Sequence, residues 1–404
     1  MSGRAVFLLC ALLLLLAAAV SCTCGKEPAK DEDDDTHAGD NDTDDDDDAG
    51  DDDDTVPEDW YLYTVDNDES AGFYTSIAVN SGGNIHISYY KEWDDFDLKY
   101  AASASGSWQT FVVFEHSVAY TSIAVDSKGK IHISFYCTSV SCDGDEIKYT
   151  TNATGSWQTI AIDDEGLRMP DSNIRTSLAL DSGDRVHITY FRCTELEYTG
   201  ACIDAELKYA TNRSGIWQVG VIDDAGNTGW YPSIAIDSSD KVHISYAQYD
   251  VESRLRYITN QTGVWQKQVI DEDDAGFSDI ALDASGRVHI CYEGWVPPHS
   301  ILKYATNRSG VWEVYVIDSD EGSNCSIAVD SSNKVHIAYF SGYDTQDLKY
   351  ATNRSGSWEI FTIDSEGNVG EYPSIAIDSD DYVHISYFDG TNTALKYATN
   401  RPPE

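Results

Sequence analysis

Positive charge is scarce in this chain: 26 Lys and Arg stand against 70 Asp and Glu, a formal net charge of −44. A surface this acidic repels phosphate backbones and anionic lipid headgroups, which excludes nucleic acid as a partner. Long hydrophobic runs are also lacking, apart from one at residues 5–20 that is too short for a membrane-spanning helix. The acidic phrase Asp40-Asn41-Asp42-Thr43-Asp44 has neither the glycine nor the distal glutamate of an EF-hand loop, so no metal is expected there.

The one apolar run follows Met1-Ser2-Gly3-Arg4 and ends in small residues, the pattern of an export signal that takes no part in folding. Its close, Ala19-Val20-Ser21-Cys22, resembles the lipobox of bacterial lipoproteins. That resemblance implies a signal peptide over 1–21, lipidation of Cys22, and residence at the outer membrane or cell surface, with the membrane touched only through the anchor. Residues 22–59 read as an acidic linker: 16 Asp and three Glu against two Lys, with too little apolar surface to offset chain entropy. With that segment and Arg4 set aside, 51 acids and 23 bases remain on residues 60–404, a net of −28.

What those residues do contain is a phrase repeated seven times: a serine, a small apolar run, an aspartate, a turn, then Val/Ile-His-Ile. Its histidines are His86, His132, His187, His243, His289, His336 and His384, spaced by 46, 55, 56, 46, 47 and 48 residues. Short alternating strands at that period predict an all-β fold, a seven-bladed β-propeller of four-stranded antiparallel blades over 60–404. Strands A to D of one repeat are legible around Ser233–Ile236, Val242–Tyr246, Leu255–Ile258 and Trp265–Ile270. The last repeat stops after strand C, whereas Trp60-Tyr-Leu-Tyr-Thr-Val-Asp66 aligns with the D strand Trp358-Glu-Ile-Phe-Thr-Ile-Asp364. The N-terminal strand is therefore expected to close the last blade, leaving no open edge.

The C–D hairpin reads Thr-Asn-Arg-Ser-Gly-x-Trp at Thr211–Trp217, Thr306–Trp312 and Thr352–Trp358. It resembles the Asp-box hairpin of sialidase-like BNR-repeat propellers, one residue shorter and with Asn ahead of the turn. The resemblance is one of structural device and carries no activity. Asn is expected to bond the backbone two residues on, and Trp to cover the blade edge.

Residues present in every blade are read as scaffold, because a catalytic or metal site is needed once. The seven histidines are expected to bond the strand A serine or the A–B turn aspartate. Asp66, Asp163, Asp223, Asp271, Asp318 and Asp364, at the ends of strand D, are read as turn residues. Cys137 with Cys142, and Cys193 with Cys202, each flank a long B–C loop and are expected as local disulfides in an oxidising compartment. For Cys291 and Cys325, in adjacent blades, spacing leaves the pairing open.

Function is sought where the sevenfold pattern fails. Three tryptophans (Trp93, Trp230, Trp295) and two histidines (His116, His299) lie outside the repeat, all in D–A or B–C loops, which emerge on one face. The inner rim of that face is set two residues before the strand A serine: Tyr74, Tyr120, Arg175, Tyr231, Phe277, Asn324 and Tyr372. Rings with hydrogen-bonding tips suit a sugar or a peptide segment, unless they simply plug the axis. The expectation is a monomeric, surface-anchored binding module for carbohydrate or a protein partner, without cofactor, calcium at the turn aspartates being the alternative. The rival is a glycan-degrading enzyme, a sialidase-like hydrolase or polysaccharide lyase, for which His299, His116 and Arg175 are the unrepeated candidates. A sialidase needs three clustered arginines, and Arg168, Arg175 and Arg192 are confined to blades two and three.

Overall fold

The computed structural model describes residues 60–403 except 69, 93–95, 105–106, 116–117, 138–141, 143–144, 164–174, 199, 251–252, 274 and 343–344. The expected signal peptide, the lipidation at Cys22 and the acidic linker lie outside the described residues. Within them, 28 strands form seven four-stranded antiparallel sheets and there is no helix. In blade one, strands A to D are Ala71–Val79, Ile85–Lys91, Leu98–Ala104 and Ser107–Phe114. In blade seven, Val369–Ile377, Val383–Asp389 and Ala394–Thr399 are completed by Tyr61–Asp66, which pairs with the last strand from Tyr61↔Thr399 to Asp66↔Leu395. The ring closes as the repeat count requires.

That register also fixes a direction. Thr399 lies at the end of strand C that leads into the C–D hairpins, so the chain enters the propeller on the face of the A–B turns and C–D hairpins. The D–A and B–C loops occupy the opposite face, called the loop face below.

Three repeated devices hold blade to blade. Each histidine Nδ1 lies 2.5–2.7 Å from the hydroxyl of a strand C tyrosine. Its Nε2 is within 3.2–3.7 Å of the turn aspartate in six blades and 3.1 Å from Asn80 in blade one. The strand C tyrosine in turn packs against the strand D tryptophan of the following blade, centroids 5.1–5.5 Å apart in all seven pairs. The histidines are therefore scaffold, with a tyrosine partner that spacing did not disclose. The strand A serine takes another role: its hydroxyl accepts the backbone N–H of strand A in the next blade at 3.0–3.4 Å, making a belt around the axis. In blade five Asp279 replaces it, accepting Ile327 N–H at 2.9 Å and the hydroxyls of Ser233 and Ser326 at 2.5 and 2.9 Å.

The third device is ionic. The aspartate ending strand D takes a turn N–H on one oxygen, as expected, but its other oxygen accepts the strand B tyrosine hydroxyl of the next blade at 2.5–2.8 Å. The strand C lysine of that next blade closes the group in the ion pairs Lys99–Asp66, Lys208–Asp163, Lys303–Asp271 and Lys396–Asp364, whereas Asp223 is met by Arg256 at 3.9 Å and by Lys267 of strand D at 2.5 Å. Where Phe114 stands in place of the aspartate, the partner tyrosine is also lost: Phe135 packs on Phe114 at 5.2 Å, and Lys148 turns to Glu146 at 2.5 Å. The acid and its tyrosine partner are replaced together by an apolar contact, and the lysine is retained with a different acid.

The hairpin asparagine corrects the sequence reading. Its Oδ1 accepts the first N–H of strand B in its own blade at 2.8–2.9 Å, while the N–H of the residue after it donates to the preceding threonine hydroxyl at 3.2 Å. Asn thus stitches the end of the ladder, and Gly215, Gly310 and Gly356 supply the left-handed turn with φ of 86–106°. Cys137–Cys142 and Cys193–Cys202 are disulfides, and so is Cys291–Cys325, which ties strand B of blade five to strand A of blade six.

Candidate functional site

The rim is positioned by backbone irregularity. In six blades the register of strand A shifts just before the serine, as between Phe73 and Ser76, a bulge that re-aims one side chain. At that point Tyr74, Tyr120, Tyr231, Asn324 and Tyr372 have φ of 47–53°, a left-handed conformation uncommon for residues other than glycine and concentrated at functional sites.

The rim residues close on one another. Tyr74 lies between Tyr120 and Tyr372, with centroids at 4.1 and 4.0 Å, and accepts a hydrogen bond from the Tyr120 hydroxyl at 3.2 Å. On the other side Tyr231 packs on Phe277 at 4.0 Å. Arg175, from blade three, spans the axis: its guanidinium lies 4.4 Å over the Phe277 ring and Nη2 donates to Asn324 of blade six at 2.8 Å. The rim therefore roofs an axial cavity of about 120 Å³ lined below by the hydroxyl belt and Asp279. The plug is real, but it is lopsided.

The asymmetry lies in the shell around the rim. Beside blades one and seven, Phe73, Tyr90 and Phe388 pack on the tyrosines and on each other at 4.1–6.1 Å, so ring faces are consumed. Over blades four to six the equivalent positions are Trp230 and Ala247, Gly276 and Glu293, and Ser323 and Phe340, so blade five alone has no aromatic ring at either position. Glu293 stands four residues after His289, where the other blades carry Tyr90, Tyr136, Phe191, Ala247, Phe340 or Phe388. It is partly buried and accepts the Ser300 hydroxyl at 2.6 Å. Burial raises its carboxyl above the usual range against the opposing pull of Ser300 and Arg175. Glu371, beside Tyr372, is raised by burial in the same sense. Neither glutamate was singled out from sequence, although aligning the seven repeats by their histidines exposes Glu293 as the one acid in an otherwise apolar column.

The remaining expected residues divide. Trp295 is 40% exposed on a B–C hairpin running from Val288–Val296 to His299–Thr306, and His299 is exposed at its turn. Trp230, expected as a platform, is only 8% exposed: it is wedged against Phe191 at 4.3 Å and Tyr249 at 5.4 Å and donates from its indole to Asn227 at 2.8 Å, so it braces the rim. Trp93, His116 and Arg168 lie outside the described residues. Arg192 is paired with Glu206 at 3.1 Å, and Arg175 is held by Asn324, so no arginine triad forms among the described residues. The turn aspartates spend their oxygens on turn N–H groups and histidines, and no group of three or more potential metal ligands occurs among the described residues.

No family model matches the chain and no curated protein does. Solved structures do. An ulvan lyase, described as a new family of polysaccharide lyase and bound to a GlcA-rhamnose glycan, aligns at TM-score 0.55 and 10% identity over 82% of this chain and 94% of its own. An α-L-arabinofuranosidase from Fusarium graminearum, solved with an iminosugar inhibitor, aligns at 0.53 and 9% over 84% and 96%. The protein AofleA from Arthrobotrys oligospora aligns at 0.51 and 13% over 76% and 90%. The likeness is one of fold. At such identities no residue role transfers from these proteins, and the chemistry of this face rests on its own side chains.

Proposed function

We propose that this propeller is a surface-displayed binding module whose loop face holds carbohydrate over blades four to six, without turnover. The observation that carries the reading is the break in symmetry at blade five, where Gly276 and Glu293 stand at positions that hold at least one aromatic ring in every other blade, with Glu293 on the same strand as the half-exposed Trp295. Flat apolar faces next to a few convergent polar groups suit a sugar ring, whose C–H face stacks while its hydroxyls bond. Two fold neighbours act on glycans, which agrees with this reading by analogy alone.

The test uses the full-length chain and a panel of immobilised polysaccharides, scored both for retention and for new reducing or unsaturated ends. Retention without product, reduced at least tenfold by Trp295→Ala, is the expected result. Product that disappears in His299→Ala would overturn the binding reading in favour of an enzyme.

A further inference from the structure

We propose that the glycan held over blades four to six is uncharged, seated on Tyr249 and Trp295 and hydrogen-bonded by Glu293 and Asn324. This deepens the carbohydrate reading and rests on it.

An anionic sugar needs a cation that is free to meet it. Among the described residues, the cations reaching the loop face are already engaged. Arg175 is tied to Asn324 at 2.8 Å, Arg192 to Glu206 at 3.1 Å, Arg254 to Glu272 at 2.8 Å and Lys91 to Asp68 at 3.4 Å. Four strand C lysines are held between blades by the strand D aspartates, while Lys349 pairs with Glu321 at 2.9 Å and Lys148 with Glu146 at 2.5 Å. The D–A loops meanwhile present exposed carboxylates, among them Asp68, Asp224, Asp273 and Asp320. A uronate or sulfate approaching this face meets like charge from several loops, and Arg175, the cation named above that has no acid partner, is committed to Asn324 and the Phe277 ring. A neutral ring meets no such cost. Glu293 also suits hydroxyls better than charge: it faces Arg175 electrostatically and is bonded on one oxygen by Ser300, so its other oxygen remains to accept from a sugar hydroxyl, while Asn324, whose oxygen accepts from Arg175 and whose nitrogen donates to Ser323 at 3.0 Å, keeps a second N–H to donate.

The closing experiment compares retention of the full-length chain on neutral polymers (galactomannan, arabinan, methyl-esterified pectin) and anionic ones (polygalacturonate, ulvan, a sialylated glycoprotein) at 0.15 M and 1 M NaCl. Retention on at least one neutral polymer, changed less than twofold by salt and lowered at least tenfold by Glu293→Ala but less than threefold by Glu293→Gln, is the expected result. Retention on anionic polymers only, or neutral retention indifferent to Glu293→Ala, overturns this proposal while leaving carbohydrate binding intact. Retention on none of the six overturns both.

Discussion

Asp163→Ala is expected to destabilise the propeller by about 3–5 kcal/mol, the cost of stranding a buried charge. Asp163 and Lys208 are each 3% exposed in their side chains and paired across the junction of blades two and three, with the Tyr190 hydroxyl donating to the same carboxylate at 2.5 Å. Removing the acid leaves an ammonium with no counter-charge in a dry interface. Tyr190→Phe, which deletes one neutral donor and keeps the ion pair, is expected to cost about 1 kcal/mol. Urea unfolding of the two variants measures the contrast. Equal losses would mean that the ion pair adds nothing beyond the hydrogen bond. The junction of blades one and two shows why the partners must change together: there Phe114 and Phe135 replace acid and tyrosine at once, and Lys148 has found Glu146.

Acidification from pH 7 to pH 5 is expected to lower stability steeply. Burial depresses all seven scaffold histidines, His86 to about 4 from an ordinary value of 6.5. Each folds as neutral imidazole and takes up its proton far more readily in the unfolded chain. Below pH 6.5 the unfolded state therefore binds more protons, and stability falls with pH until the folded value is reached. For His86 the slope is about 1.4 kcal/mol per pH unit over that window, and the other six act in the same direction. Relief of the carboxylate repulsion on the loop face works in the opposite sense, but carboxylates titrate mainly below the window. Asp181, Asp223, Asp271 and Asp378, held below the usual range in the folded chain against the opposing effect of burial, add their own loss only under pH 4. Thermal midpoints measured from pH 8 to 4.5 check this. A midpoint flat between pH 7 and 5 would contradict neutral buried histidines.

The architecture was legible because repetition makes each assignment testable seven times over: period, strand order and the N-terminal strand completing the last blade all follow from aligned histidines and tryptophans. What the period conceals is contact between blades. The tyrosine that holds each histidine and the aspartate that reaches into the next blade are separated from their partners by 13 to 27 residues, with no local pattern linking them. The site was legible only by half. Unrepeated tryptophans point to the loop face, yet Trp230 proves to be a brace, because an indole next to a rim residue can turn inward as easily as out. Glu293 is hidden by its residue type: its signal is a common residue in a column that is otherwise apolar.

The central claim is that function resides where the sevenfold pattern fails, on a scaffold indifferent to that failure. Restoring the pattern tests it most directly. Glu293→Phe combined with Asn324→Tyr gives blades five and six residues that their neighbours already carry at the same positions, as in Phe340, Phe388, Tyr231 and Tyr372. Measured side by side, this double variant, which also removes the Asn324 oxygen that Arg175 donates to, should still unfold cooperatively, at a lowered thermal midpoint, while glycan retention falls at least tenfold. Retention that survives intact in a folded, symmetrised propeller would contradict the account.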